Sequence, residues 1–360
     1  MKPSGRLQAR AVLCLLASPC KHKFALVNPS ALSFSSALRV HTAETTAGQS
    51  PAAPRWPLAF ESFLYFEPAH QALQQHGQPV LAFFLEDEAA GLTVAQFYVV
   101  LNVEGVGLAR SPGQASFGGV QLAPGITLLQ LNMLLEAAES TLRAHHQQKL
   151  EVRGYPFCYD EVGAAVLAET LRLRGYEVEV AEQNYYLDLH RDYEAHLHSS
   201  ARRRLEKCRR AGLVLEQEPA WLLPVAYEFI SACRAERGQP PLSMSLKRLE
   251  EVFQLFPRHH LLLSVREPGS GHWAALTVAI QASTRVLHNF YPASPLSYNK
   301  LSPSVLLTAG LHQLGRDMGL SVVDLGRSTL AGGVPHESLL RFKRHLGGVA
   351  SLKLTWRKNL

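Results

Sequence analysis

The chain has 360 residues, 47% hydrophobic and 18% charged, which permits two domains with sizeable cores and excludes global disorder. A net charge of +6 and a pI near 9.1 allow contact with an anionic partner without requiring one. The five cysteines include no CxxC pair and the 16 histidines no HExxH pattern, so neither a thiolate nor a histidine metal centre is expected, and a reducing, cytoplasmic setting is.

Residues 1–55 differ from the rest and are expected to be a flexible or mis-assigned N-terminal extension. Residues 11–17 form an apolar run too short for a secretory signal, and Pro19 before Cys20 argues against a lipoprotein box. No segment approaches a membrane span. From residue 56 the pattern predicts a helix over 68–76, strands over 79–85 and 92–101, and a third strand starting near 105. A Gly-rich loop, SFGGV at 116–120, precedes a long helix over 127–147. A strand over 149–153, a helix over 161–174 and a strand over 176–189 close this half. A basic helical connector, 191–212, carries Arg202, Arg203, Arg204, Lys207, Arg209 and Arg210.

The second half repeats the order. A strand over 214–217 and helices over 221–237 and 246–256 lead to a hairpin of 260–266 and 272–281. A strand over 285–291, a helix over 303–318, a strand over 321–325, a helix over 336–346 and a strand over 350–355 follow. Each half reads strand-strand-strand, helix, strand, helix, strand. The expectation is a mixed-sheet α/β fold with one domain over 56–190 and a second, catalytic one over 213–360.

The last helix carries one departure from simple patterning. Leu339, Phe342, Lys343 and Leu346 fall on one face, which sets Lys343 inside the apolar stripe. A lysine there snorkels, pairs with a carboxylate or meets an anionic ligand, and Asp324 at the end of the preceding strand is an available partner. Asp324, Gly326, Arg327, Ser328, Gly332 and Gly333 make the strand-to-loop transition a candidate site, with Glu337 a lesser candidate for a general base.

DLGRS at 324–328, RFKRHLGG at 341–348, SARRRLEKCRRAGL at 200–213 and SFGGV at 116–120 together resemble the Fem-type (FemAB-like) branch of the GNAT acyltransferases, from about residue 60 onward. The resemblance implies two tandem GNAT-like domains. It also implies transfer of an acyl or aminoacyl group to an amine of a cell-wall peptide or surface-polysaccharide amino sugar. It would put Lys343 and Phe342 near the acceptor or the transition-state oxygen, with Asp324 as a possible base. Arg327 and Ser328 would grip an anionic part of a substrate, and Gly118 and Gly119 would line an acceptor groove. The fold's donor position is the loop entering the helix at Pro303, with Tyr291 and Tyr298 on the substrate side and Asn299 and Ser304 on the donor side; an ordinary surface loop reads the same way. The acyl-CoA signature Q/R-x-x-G-x-G/A is missing from both halves, which leaves acyl-CoA and aminoacyl-tRNA both open as donors. A second reading is a non-catalytic module that contacts RNA or a protein partner through the basic helix, with Lys343 structural.

Overall fold

The computed structural model describes residues 38–360 apart from 76, 104, 106 and 330–333. Of the extension expected over 1–55, residues 1–37 lie outside the described residues, as does the Gly332–Gly333 pair. Residues 38–45, within that extension, are ordered, against the expectation. They form strand β1 (Leu38–Thr45), whose alternating LRVHTAET pairs antiparallel along the full length of β2 (Val80–Asp87). β2 is buried along its entire length, so its edge needs covering, and β1 covers it.

The remaining elements follow the expected order. In the first half these are α1 (Pro68–Gln74), β3 (Leu92–Val100), β4 (Leu108–Ser111), β5 (Val120–Leu122), α2 (Leu128–Ala144), β6 (Lys149–Arg153), α3 (Glu161–Leu173) and β7 (Glu177–Asp188). The connector forms α4 (Tyr193–His196) and α5 (Ser199–Arg210). The second half has β8 (Val214–Glu218), α6 (Leu223–Ala235), α7 (Leu246–Leu255), β9 (His260–Arg266), β10 (Trp273–Gln281) and β11 (Val286–Asn289). It closes with α8 (Pro303–Asp317), β12 (Val322–Arg327), α9 (Glu337–His345) and β13 (Val349–Asn359).

These strands join in one mixed sheet, ordered β1-β2-β3-β4-β6-β13-β7-β12-β11-β10-β9-β8, with β5 on β3. In each half a parallel pair stands beside antiparallel neighbours: β4 with β6, and β11 with β12. The centre departs from two independent domains. β13, the last strand of the second half, pairs with β6 of the first, while β7 of the first pairs with β12 of the second. β13 and β7 then pair antiparallel with each other, from Val349 opposite Tyr186 to Arg357 opposite Glu177. Each half is thus completed by the other's final strand.

Period-2 alternation divides the side chains between two layers on each half of the sheet. In β2, Leu81, Phe83 and Leu85 pack on α2 and α3, whereas Val80, Ala82 and Phe84 join an aromatic cluster on the opposite face. That cluster includes Phe63, Tyr65, Phe117, Tyr155 and Tyr159 and takes in Val286 and Val322 from the second half. In the second half, Ala275 and Ala279 face α8, and Leu276, Val278 and Ile280 face α6 and α7.

Candidate active site

The parallel pair of the second half parts after three rungs. Val286, Leu287 and His288 lie opposite Val322, Val323 and Asp324, and there the pairing ends. On the β11 side, the amides of Phe290 and Tyr291 turn away to the carbonyl of Val278, at 2.9 and 3.2 Å. On the β12 side the strand bulges at Gly326, whose φ of +73° is open to glycine, before Arg327 rejoins β7 opposite Asn184. The result is a wedge with His288 and Asp324 at its floor.

Asp324 is 2% exposed and accepts three hydrogen bonds. The Asn184 amide and the Gly326 backbone N–H donate to Oδ1, each at 2.7 Å, and the Tyr159 hydroxyl donates to Oδ2 at 2.7 Å. A buried carboxylate is tolerated because its lone pairs are met in this way. Tyr159 comes from the first half, so the floor of the wedge is built by both.

Lys343 is buried on α9, as its place in the apolar stripe predicts. Its partner differs from the expected one. Its Nζ donates to the carbonyls of Gly326 at 2.7 Å and Arg327 at 2.9 Å, not to the Asp324 carboxylate, which acts on it only through space. The bulge that turns those two carbonyls toward α9 is the reason. Burial pulls the ammonium down to about 8, with the Asp324 charge opposing. Two of its three N–H donors are used, which leaves one for a ligand.

Arg327 and Ser328, expected to act together on an anion, are separated. The Arg327 guanidinium donates to Glu182 at 3.1 Å on the rim, and Glu182 also accepts from Thr329 at 2.6 Å. Ser328 is turned inward, 1% exposed, with its hydroxyl unpartnered.

At the N-terminus of α8 lies a cleft of about 320 Å³ lined by Arg204, Arg237, Ser294, Asn299, Ser302, Ser304 and Phe342, the neighbour of Lys343. It brings together Asn299, Ser304 and Phe342, three of the residues singled out in the sequence. Ser302 sits at φ +57° and spends its hydroxyl on the Asn299 carbonyl, so the first turn of α8 has no side-chain cap. Pro303 has no N–H and the Val305 N–H is taken by the Ser302 carbonyl at 3.0 Å, which leaves the first-turn N–H of the cleft-lining Ser304 without a side-chain cap. Tyr291 does not line the cleft: it is buried, its hydroxyl within 2.7 Å of the Ser243 hydroxyl. Tyr298 is half-buried among α8-side apolar groups.

The basic helix α5 is largely committed within the chain. Arg202 donates to the Glu194 carbonyl, Lys207 to the Lys300 carbonyl, Arg210 to the Glu206 carbonyl, and Arg209 to the carboxylates of Glu194 and Glu206. Arg204 is the member that enters the cleft. Its selection depends on the rotation of α5 against α8, which composition does not reveal.

The first half has the same parting of strands after Ser111 opposite Val152, but there it is filled. Phe117 and Tyr159 meet edge-on at 5.3 Å, with Tyr155 and Phe63 against them. Its following helix, α2, is closed by a capping box of Thr127 and Gln130. Gly118 and Gly119 lie in this filled region, both buried. Gly118 donates to the Arg153 carbonyl at 2.8 Å and Gly119 to the Ser111 hydroxyl at 2.9 Å. A Cβ on Gly118 would meet the Pro112 nitrogen at 2.6 Å and the Ser111 carbonyl carbon at 2.9 Å. Gly118→Ala is therefore expected to cost about 1–3 kcal/mol of stability while leaving ligand binding at the α8 cleft unchanged, as a urea melt and a titration on the same sample would show.

No protein-family model matches the chain, and no curated protein matches it in sequence. Solved structures do match in shape. FemX superposes with a TM-score of 0.59 at 10% identity, over 78% of this chain and 87% of FemX. The fold is FemX-like. A conserved protein of unknown function from Bacteroides thetaiotaomicron VPI-5482 superposes at 0.52 with 8% identity, over 78% of this chain and 86% of its own. A tandem GNAT protein from the clavulanic acid biosynthesis pathway gives 0.46 at 12% identity, over 89% and 98%. The architecture is two halves of like element order in one mixed sheet, FemX-like overall, and the second half holds the open wedge and cleft.

His288, Asn184, Tyr159 and Arg237 were not anticipated. Each looks ordinary in its own segment, and only the strand register and the helix packing gather them. Among the described residues no helix is long and apolar enough to cross a membrane, and no group of three or more His, Cys, Asp or Glu could hold a metal ion.

Proposed function

We propose that this protein is an N-acyltransferase with a single donor site, in the second half. The carrying observation is the cleft at the uncapped N-terminus of α8, where Arg204 and Arg237 converge beside Phe342 and the Lys343-bearing wedge. Two guanidinium groups and the first-turn N–H of Ser304 suit phosphate, which both a CoA thioester and an aminoacyl ester of tRNA carry. The acyl carbonyl would reach the wedge, where the remaining N–H of Lys343 meets the oxygen that becomes negative during attack. The acceptor is an amine, of a cell-envelope peptide or amino sugar on the reading from resemblance. The filled wedge and capped helix of the first half support one donor per chain. Cys158, Cys208 and Cys233 are all unpaired, in keeping with a cytoplasmic reaction.

Calorimetric titration with acetyl-CoA and, separately, with an aminoacylated minihelix RNA tests this and assigns the donor. One of them is expected to bind at one site per chain. A hydrogen bond to a charged group contributes about 1.5–3 kcal/mol, so replacing both Arg204 and Arg237 by alanine should weaken binding roughly 100-fold or more. Absence of binding by either probe, or an unaffected double variant, would overturn the proposal.

A further inference from the structure

His288 occupies the last rung before the strands part, opposite Asp324. Its Nε2 lies 3.9 Å from Asp324 Oδ2, and its Nδ1 is buried without a partner. The carboxylate it faces is held by Asn184, Tyr159 and the Gly326 amide. Gly326 passes close to the imidazole on the same side: a Cβ there would lie 3.7 Å from Nε2. Gly326 also supplies one of the carbonyls that hold Lys343, so the imidazole, the carboxylate and the ammonium converge on one bulge.

From this convergence we infer that His288 takes the proton from the acceptor ammonium, a role that rests on the acyltransferase reading above. Asp324, satisfied by three donors, serves instead to stabilise the imidazolium once it forms. The charged groups acting on the imidazole are Asp324 on β12, Lys343 on α9 and Lys353 on β13. Burial, first, and the two lysines hold it below its ordinary value, while Asp324 opposes, so it enters neutral and able to accept.

The step balances as follows. His288 removes one proton from the ammonium, and the freed lone pair forms the C–N bond as the carbonyl π pair moves onto oxygen beside Lys343. The oxyanion pair then re-forms the carbonyl as the bond from carbon to the donor's sulfur or ester oxygen breaks with its pair on that atom. The surplus proton of the new amide nitrogen passes to it, and His288 returns its own proton to solvent.

Full-length wild type and His288→Gln are compared for donor affinity and for transfer to two surrogate acceptors at pH 7. These are glycinamide, and hydroxylamine, which is already unprotonated at that pH. Loss of a proton acceptor lowers rates about 10²–10⁴-fold, so that loss is expected with glycinamide, a far smaller one with hydroxylamine, and donor affinity within threefold of wild type. Equal losses with both amines would mean a structural role, and no loss with either would also overturn the inference. Failure of the parent reading would appear separately, as wild type that binds no donor. A histidine ¹⁵N titration is independent of activity: His288 is expected neutral at pH 7, and a cationic imidazole there would rule out its taking a proton.

Discussion

Lys343→Met is expected to lower acyl transfer by about 10²–10³-fold while changing donor affinity little, because removal of one donor to a developing oxyanion costs that much. Phe342 lines the α8 cleft, whereas Lys343 points into the wedge at the two carbonyls of the bulge. On the proposed reading, ground-state binding and transition-state stabilisation would be carried by adjacent residues. Single-turnover rates with saturating donor separate them. A parallel loss in donor affinity would place the lysine on the donor instead. An unchanged rate would leave it a structural group, as the non-catalytic reading requires.

The same side chain gives a pH signature whose sign can be worked out. The Lys343 ammonium is held at about 8 against an ordinary 10.5. Above pH 8 the folded chain has released a proton that the unfolded chain still holds, so stability rises with pH through this window. Between pH 8 and 9.5 the rise amounts to about 2 kcal/mol from this group. Further up, buried hydroxyls such as Tyr155 and Tyr159, pushed well above their usual range by burial, oppose it. Lys353 is also held at about 8 by burial, so Lys343→Met is expected to reduce the rise without abolishing it. Transfer should run the other way, falling above pH 8 as the ammonium is lost. Urea midpoints and rates across this range, on both proteins, check the two signs together.

The contrast between Lys343 and its surroundings shows which parts of the site a sequence exposes. Helical periodicity is local, and a lysine in an apolar stripe is visible from neighbours within one turn or two of α9. Its partners are not visible, because they are backbone carbonyls presented by a bulge at Gly326. Asn299 and Ser304 were legible because they flank Pro303, which opens a helix, a short-range signal. Arg204 was legible only as one basic residue among several, since α5 against α8 sets which one turns inward. Tyr159 is the furthest from view. It lies in the first half and reaches Asp324 across 165 positions of chain, through packing that no local pattern encodes. The order of elements was readable for the same local reason, whereas the crossing of β7 and β13 was not, because pairing register between distant strands leaves no mark on either one.

That crossing leads to the largest expected effect on folding. The halves drawn at 56–190 and 213–360 are proposed as units of architecture, not of folding. β13 pairs through five residues with β6 and through nine with β7, and it carries Leu354 and Trp356 into the first half's core. Truncation after Gly348 would open the edges of β6 and β7 at the centre of the sheet, where unpaired backbone groups and apolar side chains are costly. The truncated chain is expected to lose cooperative unfolding in both halves, not in the second alone. Trp356→Ala is the milder version: Trp356 is 7% exposed, and emptying such a site costs about 3–5 kcal/mol. Fragments 38–212 and 213–360 should each fail to fold singly and regain a cooperative transition when refolded together. A first-half fragment that melts cooperatively alone would show that β7 and β13 merely dock onto finished domains. The wedge would then owe nothing to the exchange, although Asn184 on β7 and Tyr159 hold its floor.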